Sequence, residues 1–436
     1  MTKGISHIKN FLEEEKEEFE IQGRIIRKRD LGGIIFASIK DQTGLAQIAF
    51  DKEHTGESYK DYRNLNVGDV VYIKGTPFTT RNGTRTLGVK SIKFIAKCSE
   101  PIPDKYHGLN RKTGQINRGL ELMVNQDSMN LFLRRNNLIK EIRRFLFERG
   151  FQEVDTGILQ HITNTSPSED FVTHSDHFDR DLFLRKTPEL RLKQLLVAGM
   201  ENIFELGKNF RNEGVSRDYH PEYNVLELYQ NDATYLDVLH LTKSLLSHLN
   251  QRVYAPRNNP IRAIDVNLYE FILREIGIDV RDSSIDQIKT HIATEIRKEY
   301  GQEAMYKGLY VYDLFKTLLK RYIDENIILH GVPKEISILG KTFDNEPTLV
   351  EEFRYFVRGN LICNGITELT DYDEQKRRIE QQAKMYEKDL DISDMQFLET
   401  LRFGLPPCAG IGLGVEKTLM VYLETDDIRD VIYFPL

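Results

Sequence analysis

The sequence predicts an α+β fold in two parts, a small N-terminal β-barrel followed by an antiparallel sheet flanked by helices. Three observations lead to this prediction. Five short strand-like runs, separated by turn signals, precede residue 100. A long helical pattern follows near residue 127, and two strand patterns then enclose a polar loop between residues 204 and 229. Runs of strands followed by strands mixed with helices are typical of α+β proteins.

Composition narrows the class of protein. A chain of 436 residues exceeds what one compact core usually holds, so two domains are expected. Charged residues make up 29% and no apolar stretch reaches the ~18 residues of a membrane span, so we expect a cytoplasmic protein without membrane contact. Cys98, Cys363 and Cys408 lack metal-ligand spacing and are expected to be reduced. The net charge of −7 argues against indiscriminate nucleic-acid binding but permits a local basic face.

The N-terminal part reads as a barrel with a short extension. Residues 1–19 are charged and helix-prone and are predicted to form a helical extension. Asn82-Gly83 is the strongest hairpin signal among the strands of residues 20–100. Five short strands at this spacing suit an oligonucleotide-binding (OB) type barrel. The strands are predicted at residues 20–29, 33–40, 46–51, 69–77 and 84–96.

The remainder is predicted to be one larger domain. Residues 101–125 begin with two prolines and are interpreted as a linker to a domain of residues 126–436. Apolar residues recur at helical spacing over residues 127–149, which predicts an amphipathic helix. Strands such as residues 182–186 then alternate with helices such as residues 189–198. Residues 285–330 are mostly helical in pattern and are interpreted as an insertion without catalytic residues.

The polar stretch between residues 204 and 229 carries the clearest chemistry. Phe-Glu-Leu-Gly-Lys-Asn-Phe-Arg211-Asn-Glu213-Gly precedes Pro-Glu-Tyr223-Asn-Val-Leu-Glu227-Leu-Tyr229. Because side chains alternate along a strand, Tyr223, Glu227 and Tyr229 should share one face. An arginine and several carboxylates on neighbouring antiparallel strands would form a mixed-charge site on a rigid sheet. Alone, each carboxylate would be expected to be an ordinary surface residue.

These residues resemble the second signature motif of the class II aminoacyl-tRNA synthetases, in the version found in the lysyl enzymes. The other landmarks of that family appear in the expected order along the chain, and the resemblance extends from about residue 20 to the C-terminus. The resemblance implies a class II catalytic sheet flanked by helices, preceded by an anticodon-binding OB-type barrel. The matching segments are Arg185-Lys-Thr-Pro-Glu189-Leu, Asn364-Gly-Ile-Thr-Glu368-Leu-Thr-Asp371, Gly404-Leu-Pro-Pro-Cys-Ala-Gly410-Ile-Gly412-Leu-Gly414 and Ile428-Arg429-Asp430-Val431-Ile-Tyr-Phe-Pro435.

The resemblance implies a ligase that adenylates lysine or a close analogue with ATP and transfers it to tRNA in protein biosynthesis. Arg211 and Lys417 would be catalytic, with Arg211 bridging the two anions that react. The ATP-binding residues would be Arg211, Glu213, Tyr223, Lys417 and Arg354, with Tyr223 stacking on adenine. The lysine-binding residues would be Glu189, Glu227, Tyr229, Asn364 and Glu368. Glu189 would hold the α-amino group and Asn364 the carboxylate end.

The same resemblance implies a nucleic-acid partner and a second copy of the chain. Phe36 would stack on an anticodon base and Gln47 would hydrogen-bond one, with Arg24 nearby. The alternative for Phe36 is a place in the barrel core. A homodimer is expected because first-motif helices of the family pair across a two-fold axis. Gly157 stands where that motif has a proline at the dimer interface.

Three departures fall on the phosphate and metal machinery. Lys417 replaces an arginine that contacts ATP, and it lacks the planar guanidinium fork. Arg354 and Leu361 stand where the family has two glutamates that help to bind Mg²⁺, and neither side chain is a ligand for a hard cation. No metal ligand is therefore predicted. Arg354 could neutralise a triphosphate together with Arg211 and Lys417, or it could pair with Glu351 or Glu352. Ile366 also replaces an aromatic residue of the lysine pocket.

Two functions remain open at this point. One is a divergent lysine–tRNA ligase that still activates its amino acid. The other is a repurposed paralogue that kept the scaffold and the amino-acid pocket but has altered or lost ATP and Mg²⁺ chemistry. Such a paralogue would ligate another amine, modify a protein, or only bind lysine or tRNA.

Overall fold

The computed structural model describes residues 5–52, 59–100, 102, 109–161, 169–253, 260, 262–300, 303–385 and 392–436. The chain divides into two units after Asn110. No helix in these ranges is both long and apolar enough to cross a membrane.

The first unit is a closed five-stranded barrel with the strand order β1-β2-β3-β5-β4. Alternating side chains of each strand fill its interior, as Ile35, Ala37 and Ile39 of β2 illustrate. Helix α1 adds Ile8 and Phe11 to this core. The elements of the unit are α1 (Ile8–Glu13), β1 (Phe19–Asp30), β2 (Ile34–Lys40), β3 (Leu45–Asp51), α2 (Tyr59–Arg63), β4 (Val70–Thr79) and β5 (Arg85–Ala96).

The second unit contains a large sheet, helices on both of its faces, and a small separate sheet. Its strands are β6 (Gln152–Glu153), β7 (Leu159–Gln160), β8 (Val172–Ser175), β9 (Arg180–Leu184), β10 (Asn202–Phe210), β11 (Glu222–Asn231), β12 (Ile264–Asn267), β13 (Asn326–Pro333), β14 (Leu349–Val357), β15 (Asn360–Thr367) and β16 (Cys408–Gly414). Its helices are α3 (Arg111–Ile116), α4 (Arg118–Val124), α5 (Gln126–Phe147), α6 (Glu189–Val197), α7 (Tyr235–Arg252), α8 (Leu268–Ile276), α9 (Ile285–Lys289), α10 (Lys307–Leu319), α11 (Tyr372–Met385), α12 (Ile392–Leu401) and α13 (Val415–Leu423).

Among the described residues the large sheet has eight strands in the order β12-β13-β14-β15-β16-β11-β10-β6. Its central pairs are antiparallel, and the outermost pairs β12–β13 and β10–β6 are parallel. One face of the sheet, including Leu226, Phe353 and Leu413, packs on α5, α7 and α13. The opposite face carries the polar residues discussed below. The predicted α+β fold class is confirmed.

The predicted linker of residues 101–125 is wrong in its second half. Residues 101 and 103–108 lie outside the described part of the chain, but α3 and α4 occupy residues 111–124. Arg118, whose side chain is 3% exposed, donates to the carbonyl oxygens of Arg429 at 2.9 Å and Tyr433 at 3.1 Å. These contacts with the C-terminal segment anchor the helices to the second unit, and local sequence patterns do not report contacts of that kind.

The predicted insertion of residues 285–330 also has different limits. Helices begin at Leu268, and the run ends in a turn at residues 320–322. Residues 326–333 are strand β13, whose buried Ile327, Ile328 and Leu329 give a continuous apolar run rather than an alternating one. The inserted helices build a core of their own with the side of the sheet formed by β12, β13 and β14.

Candidate functional site

Two rows of side chains cross the polar face of the large sheet. Glu227 of β11 lies opposite Gly412 of β16, which lies opposite Asn364 of β15. Tyr229 lies in the same way opposite Gly410, which lies opposite Ile366. Directly opposite residues of antiparallel strands project to the same face, so sheet register alone brings these side chains together.

Two glycines of β16 keep the space between these side chains open. A Cβ atom at Gly410 would lie 2.4 Å from the Tyr229 ring, which is too close for any side chain. A Cβ atom at Gly412 would lie 3.3 Å from Asn364 Oδ1 and 3.5 Å from Glu227 Oε1. Gly410 and Gly412 therefore belong to a strand that forms the floor of the site, and they are not part of a Gly-rich turn.

The first cavity above this floor has a volume of about 440 Å³. Its wall brings together the five predicted lysine-binding residues: Glu189, Glu227, Tyr229, Asn364 and Glu368. Arg211 and Tyr223 line the same cavity at one end, and Ile366 contributes an aliphatic patch. The wall therefore combines several carboxylates with aromatic and aliphatic surface.

Lys193, a buried residue that was not predicted from the sequence, forms ion pairs with Glu189 and Glu368. The Nζ atom of Lys193 lies 2.9 Å from Glu189 Oε1 and 2.6 Å from Glu368 Oε2. Lys193 and Glu189 are both on α6 and are four residues apart, the spacing of side-chain pairs on one helix face. That spacing was the signal that could have identified the pair. Glu227 is bonded separately, accepting from Thr187 Oγ1 at 3.2 Å.

Burial shifts the pKa values of these groups. Burial raises the pKa of Glu368 to about 7, and the ammonium of Lys193 offsets only part of that effect. Burial, with the negative charge of Glu189, raises the pKa of Glu227 to about 8. Burial alone would lower the pKa of Lys193, but Glu189 and Glu368 hold that pKa above its ordinary value. Glu189 and Glu368 thus share one internal cation, Glu227 is bonded to a neutral hydroxyl, and a cationic ligand would favour the ionised forms of these carboxyl groups.

Sequence reasoning also missed two polar residues from the helices that cover this cavity. Gln382 of α11 and Asp394 of α12 line it, together with Phe397. Their separation from the strands along the chain, and the absence of any motif around them, explains why no sequence signal marked them.

A second cavity of about 800 Å³ adjoins the first. Arg211, Tyr223, Leu361 and Gly414 line both cavities, so the two are continuous. The guanidinium carbon of Arg211 lies 5.6 Å from the centre of the Tyr223 ring. Arg211 is therefore placed where a group from either cavity can reach it.

Two other predicted residues, Glu213 and Lys417, line the second cavity. Lys417 Nζ donates to Asp218 Oδ1 at 2.9 Å and to Asn360 Oδ1 at 3.3 Å. Lys417 does not line the first cavity, in contrast to Arg211, Glu227 and Glu368. The predicted residues therefore fall into two adjoining groups that meet at Arg211.

Arg354 lies outside both cavities, and its contacts do not support the predicted role in ATP binding. Its Nε donates to Glu352 Oε1 at 2.7 Å, and its Nη1 donates to the Tyr312 hydroxyl. Both side chains of the Arg354–Glu352 pair are largely buried, at 13% and 1% exposed. Arg354 lines neither cavity, so the alternative of pairing with Glu352 holds.

The second cavity does not fit a protein-bound Mg²⁺ ion. Leu361, 39% exposed, presents an aliphatic side chain to the cavity, and Arg354 holds a fixed positive charge behind Tyr312. Within the described ranges no three His, Cys, Asp or Glu side chains are grouped as metal ligands. Magnesium prefers carboxylate and water oxygens, and this wall does not group them.

The three predicted anticodon-binding residues all lie on the outer surface of the barrel. Phe36 alternates with the buried residues of β2 and is only partly buried, so it is not a core residue. Gln47 lies opposite Ser38, the next outward position after Phe36, and its Oε1 accepts from Thr86 Oγ1 at 3.1 Å. Arg24 lies further along and donates to the carbonyl oxygen of Gly68 at 2.7 Å.

Comparison with known proteins gives the same picture over nearly the whole chain. Residues 110–436 match the family model for class II tRNA synthetases (D, K and N), and residues 19–95 match that for an OB-fold nucleic acid binding domain. The lysine–tRNA ligase of Coxiella burnetii (strain Dugway 5J108-111) is 33% identical over 96% of this chain and 86% of its own length. The lysine–tRNA ligase of Halalkalibacterium halodurans is 34% identical over 98% of this chain and 88% of its own length. That of Oceanobacillus iheyensis is 33% identical over 99% and 90%.

Proposed function

The chain belongs to the class II tRNA synthetases (D, K and N), and from this premise we propose that it activates lysine or a close analogue with ATP and transfers it to tRNA. The observation that carries the choice of amino acid is the bonding of the buried carboxylates around the first cavity. Glu189 and Glu368 share the buried cation Lys193, and Lys186 of the cavity wall pairs with Asp170. Glu227 accepts a hydrogen bond from the neutral hydroxyl of Thr187 instead. An amino acid with a second ammonium group would give Glu227 a cationic partner, whereas an apolar amino acid would leave this buried carboxylate without one.

Each end of the substrate has a partner in this proposal. Glu227 and Glu368, with the Tyr229 ring and hydroxyl, receive the ε-ammonium group. Glu189 receives the α-ammonium group, and Asn364 hydrogen-bonds the carboxylate. The aliphatic chain lies over the floor that Gly410 and Gly412 leave open. Neutral carboxyl groups of the free protein ionise as the ammonium arrives, so recognition depends on charge as well as on shape.

The reacting groups meet at the junction of the two cavities. Adenylate formation joins the lysine carboxylate to the α-phosphate and releases pyrophosphate, and the two anions repel each other until a cation lies between them. Arg211 lines both cavities and has a planar fork that bonds two oxygens at once. Tyr223 would stack on the adenine ring. Lys417 would leave its bond to Asp218 and bind the phosphates, with Glu213 nearby.

Exchange of radioactive pyrophosphate into ATP tests the proposal directly. We expect exchange with lysine, none with leucine or aspartate, and transfer of lysine to tRNA in a second assay. Arg211→Ala should abolish exchange while lysine still binds. Glu222→Gln should leave exchange unchanged and serves as a control for a surface substitution near the site, because Glu222 pairs with Lys208 at the surface. Exchange that is equal with lysine and leucine would overturn the assignment of the substrate.

A second candidate function is favoured by one observation, the buried Arg354–Glu352 pair at a position where the resemblance to the lysyl enzymes implies a metal ligand. A repurposed paralogue would bind lysine without forming the adenylate, or would pass it to an acceptor other than tRNA. Lysine binding in calorimetry without any pyrophosphate exchange would select this candidate. Exchange without transfer to tRNA would indicate another acceptor.

The remaining partners are also proposals. We propose that the outer surface around Phe36 and Gln47 binds the anticodon of a tRNA by stacking and hydrogen bonding. We further propose that the chain is a homodimer. Sedimentation at micromolar concentration would show a species of twice the chain mass, and a stable monomer would contradict it.

A further inference from the structure

The far wall of the second cavity comes from the inserted helices, which sequence reasoning had interpreted as non-catalytic. Tyr312, Lys316 and Leu319 of α10 line it, followed by Lys320 and Ile323 of the next turn. The inserted helices pack on β13 and β14 through a common core. This wall is thus fixed to the sheet that carries the rest of the site.

Cationic side chains from separate segments converge on this cavity. Lys316 and Lys320 come from the inserted helices, and Arg358 comes from the turn between β14 and β15. Arg211 and Lys417 bring the number of lysines and arginines on this wall to five among the residues that the structure describes. Anions therefore meet positive charge on several sides of the cavity.

The carboxylates of the same wall are fewer and mostly engaged. Glu416 is 2% exposed and accepts from the backbone N–H of Asn224 at 2.8 Å. Asp218 is bonded to Lys417, and Glu213 is exposed. The three are not grouped as a metal site, as described above. Counted over its described residues, the wall therefore has more cationic than anionic side chains and no carboxylate cluster to hold a divalent cation.

The two inserted lysines are paired with carboxylates, one of them buried and the other exposed. Lys316 Nζ pairs with Asp313 Oδ1 at 2.5 Å, and Lys320 Nζ pairs with Glu295 Oε1 at 2.7 Å. Their side chains are 39% and 54% exposed. Lys320 and Glu295 are both exposed, so Lys320 can exchange this partner for a phosphate oxygen at little cost. Asp313 is 1% exposed, so Lys316 keeps this partner. An ammonium group has three donor hydrogens, and Lys316 can therefore donate to a phosphate oxygen as well.

We propose that Lys316, Lys320 and Arg358 bind the triphosphate of ATP directly, together with Arg211 and Lys417, and that this replaces a protein-bound divalent cation. The inference rests on the proposed function, since it takes ATP to be the second substrate of the site. These five side chains compensate the charge of the triphosphate, and the inserted helices thereby take part in nucleotide binding. Arg354 acts only indirectly, by holding Tyr312 and Glu352.

Calorimetric titration of the full-length protein with ATP, without lysine, tests this inference. The wild type should bind ATP in EDTA within about twofold of its affinity in MgCl₂. Lys316→Ala/Lys320→Ala should weaken binding in EDTA by on the order of tenfold or more, because charge-assisted contacts are lost. Arg358→Asn should weaken it as well, and asparagine tolerates the positive φ of 51° at this position.

Arg321→Ala is the matched control. Arg321 is the neighbour of Lys320, but it pairs with Glu275 at 3.7 Å and does not line the cavity. This variant should bind ATP as the wild type does. The affinity of the wild type should also fall more steeply with added salt than that of the double-lysine variant. Circular dichroism would verify that each variant is folded.

The outcomes separate this inference from the proposed function. Binding of ATP that requires Mg²⁺, or equal affinities of the double-lysine and Arg321→Ala variants, would overturn the inference. Lysine-dependent pyrophosphate exchange in the same samples would then leave the proposed function standing. Absence of ATP binding under both conditions would overturn both.

Discussion

Lys193 Nζ and Glu368 Oε2 lie 2.6 Å apart, and both side chains are 1% exposed. A buried pair of this kind costs desolvation of two charges, so it adds little stability by itself. Its effect is to fix Glu368 in the wall of the first cavity. Glu227 is bonded to the Thr187 hydroxyl, and it forms no ion pair within the part of the chain that the structure describes. The ligand supplies the missing charge in the proposed complex.

Replacement of Glu227 by glutamine should weaken lysine binding strongly. The substrate ammonium would lose an ionised partner, at a cost of about 2–4 kcal/mol in binding free energy. Calorimetry above pH 8, where the pKa of about 8 leaves Glu227 largely ionised, measures the full effect. Glu222→Gln is the control and should bind normally. Equal affinity of Glu227→Gln and wild type would remove Glu227 from the lysine site.

Lysine binding should strengthen as the pH rises from about 6 to about 8. Glu368 and Glu227 have pKa values raised to about 7 and about 8, so the free protein holds protons that the bound ammonium displaces. Glu189 and Lys193 face the same carboxyl groups, and Lys193 remains charged through this range. Calorimetry in buffers with different ionisation enthalpies should show proton release on binding. A flat pH profile would contradict the raised pKa values, and Glu227→Gln should retain only the part due to Glu368.

Replacement of Lys193 by methionine should destabilise the fold in a pH-dependent way. Methionine fills the volume but leaves Glu189 and Glu368 without their cation, at a cost of about 3–5 kcal/mol when both are ionised. Without that cation the pKa of Glu368 rises further, so the loss of stability grows as the pH increases and is smaller near pH 6. Urea unfolding at two pH values measures it. Lys208→Met, which breaks a surface pair with Glu222, should cost less than about 1 kcal/mol.

Replacement of Gly157 by proline should destabilise the chain, even though a proline stands there in the family. Gly157 has a φ of 79°, whereas a proline ring fixes φ near −65°. Its N–H also donates to Asp155 Oδ1 at 3.0 Å, a bond that proline cannot make. Thermal unfolding should show a loss of more than about 1 kcal/mol. Gly157→Ala keeps the N–H and should lose less. Unchanged stability of the proline variant would mean that this segment has another conformation in solution.

Replacement of Phe36 by alanine should weaken binding of an anticodon stem-loop RNA. Loss of one base stack costs about 1–3 kcal/mol, and folding should be unaffected because Phe36 lies outside the barrel core. Fluorescence anisotropy of a labelled RNA measures the affinity. Phe78→Ala is the control, because Phe78 is an exposed phenylalanine of β4 on the same barrel. A similar loss in both variants would argue against a specific site at Phe36.

Short-range patterns predicted the barrel strands well and the polar contacts poorly. Turn signals and alternation located the barrel strands to within one or two residues, since both are properties of adjacent positions. Glu227 and Tyr229 were placed on one face for the same reason. Lys193 was missed because its partner Glu368 is brought to it by the sheet. The sequence left two alternatives for Arg354, and it did not indicate the contact with Tyr312, because that residue lies on an inserted helix.

Because side chains alternate along β11, the same strand register determines which residues pack in the core and which line the first cavity. Leu226 and Leu228 enter the main core, while Val225, Glu227 and Tyr229 face the first cavity. A single inserted or deleted codon within this strand would exchange the two sets, placing carboxylates in the core and leucines in the site. Changes of length in a diverging gene are therefore confined to the connections outside such strands, and the strands can change only by substitution. Arg354 and Leu361 are changes of the kind that this constraint leaves open.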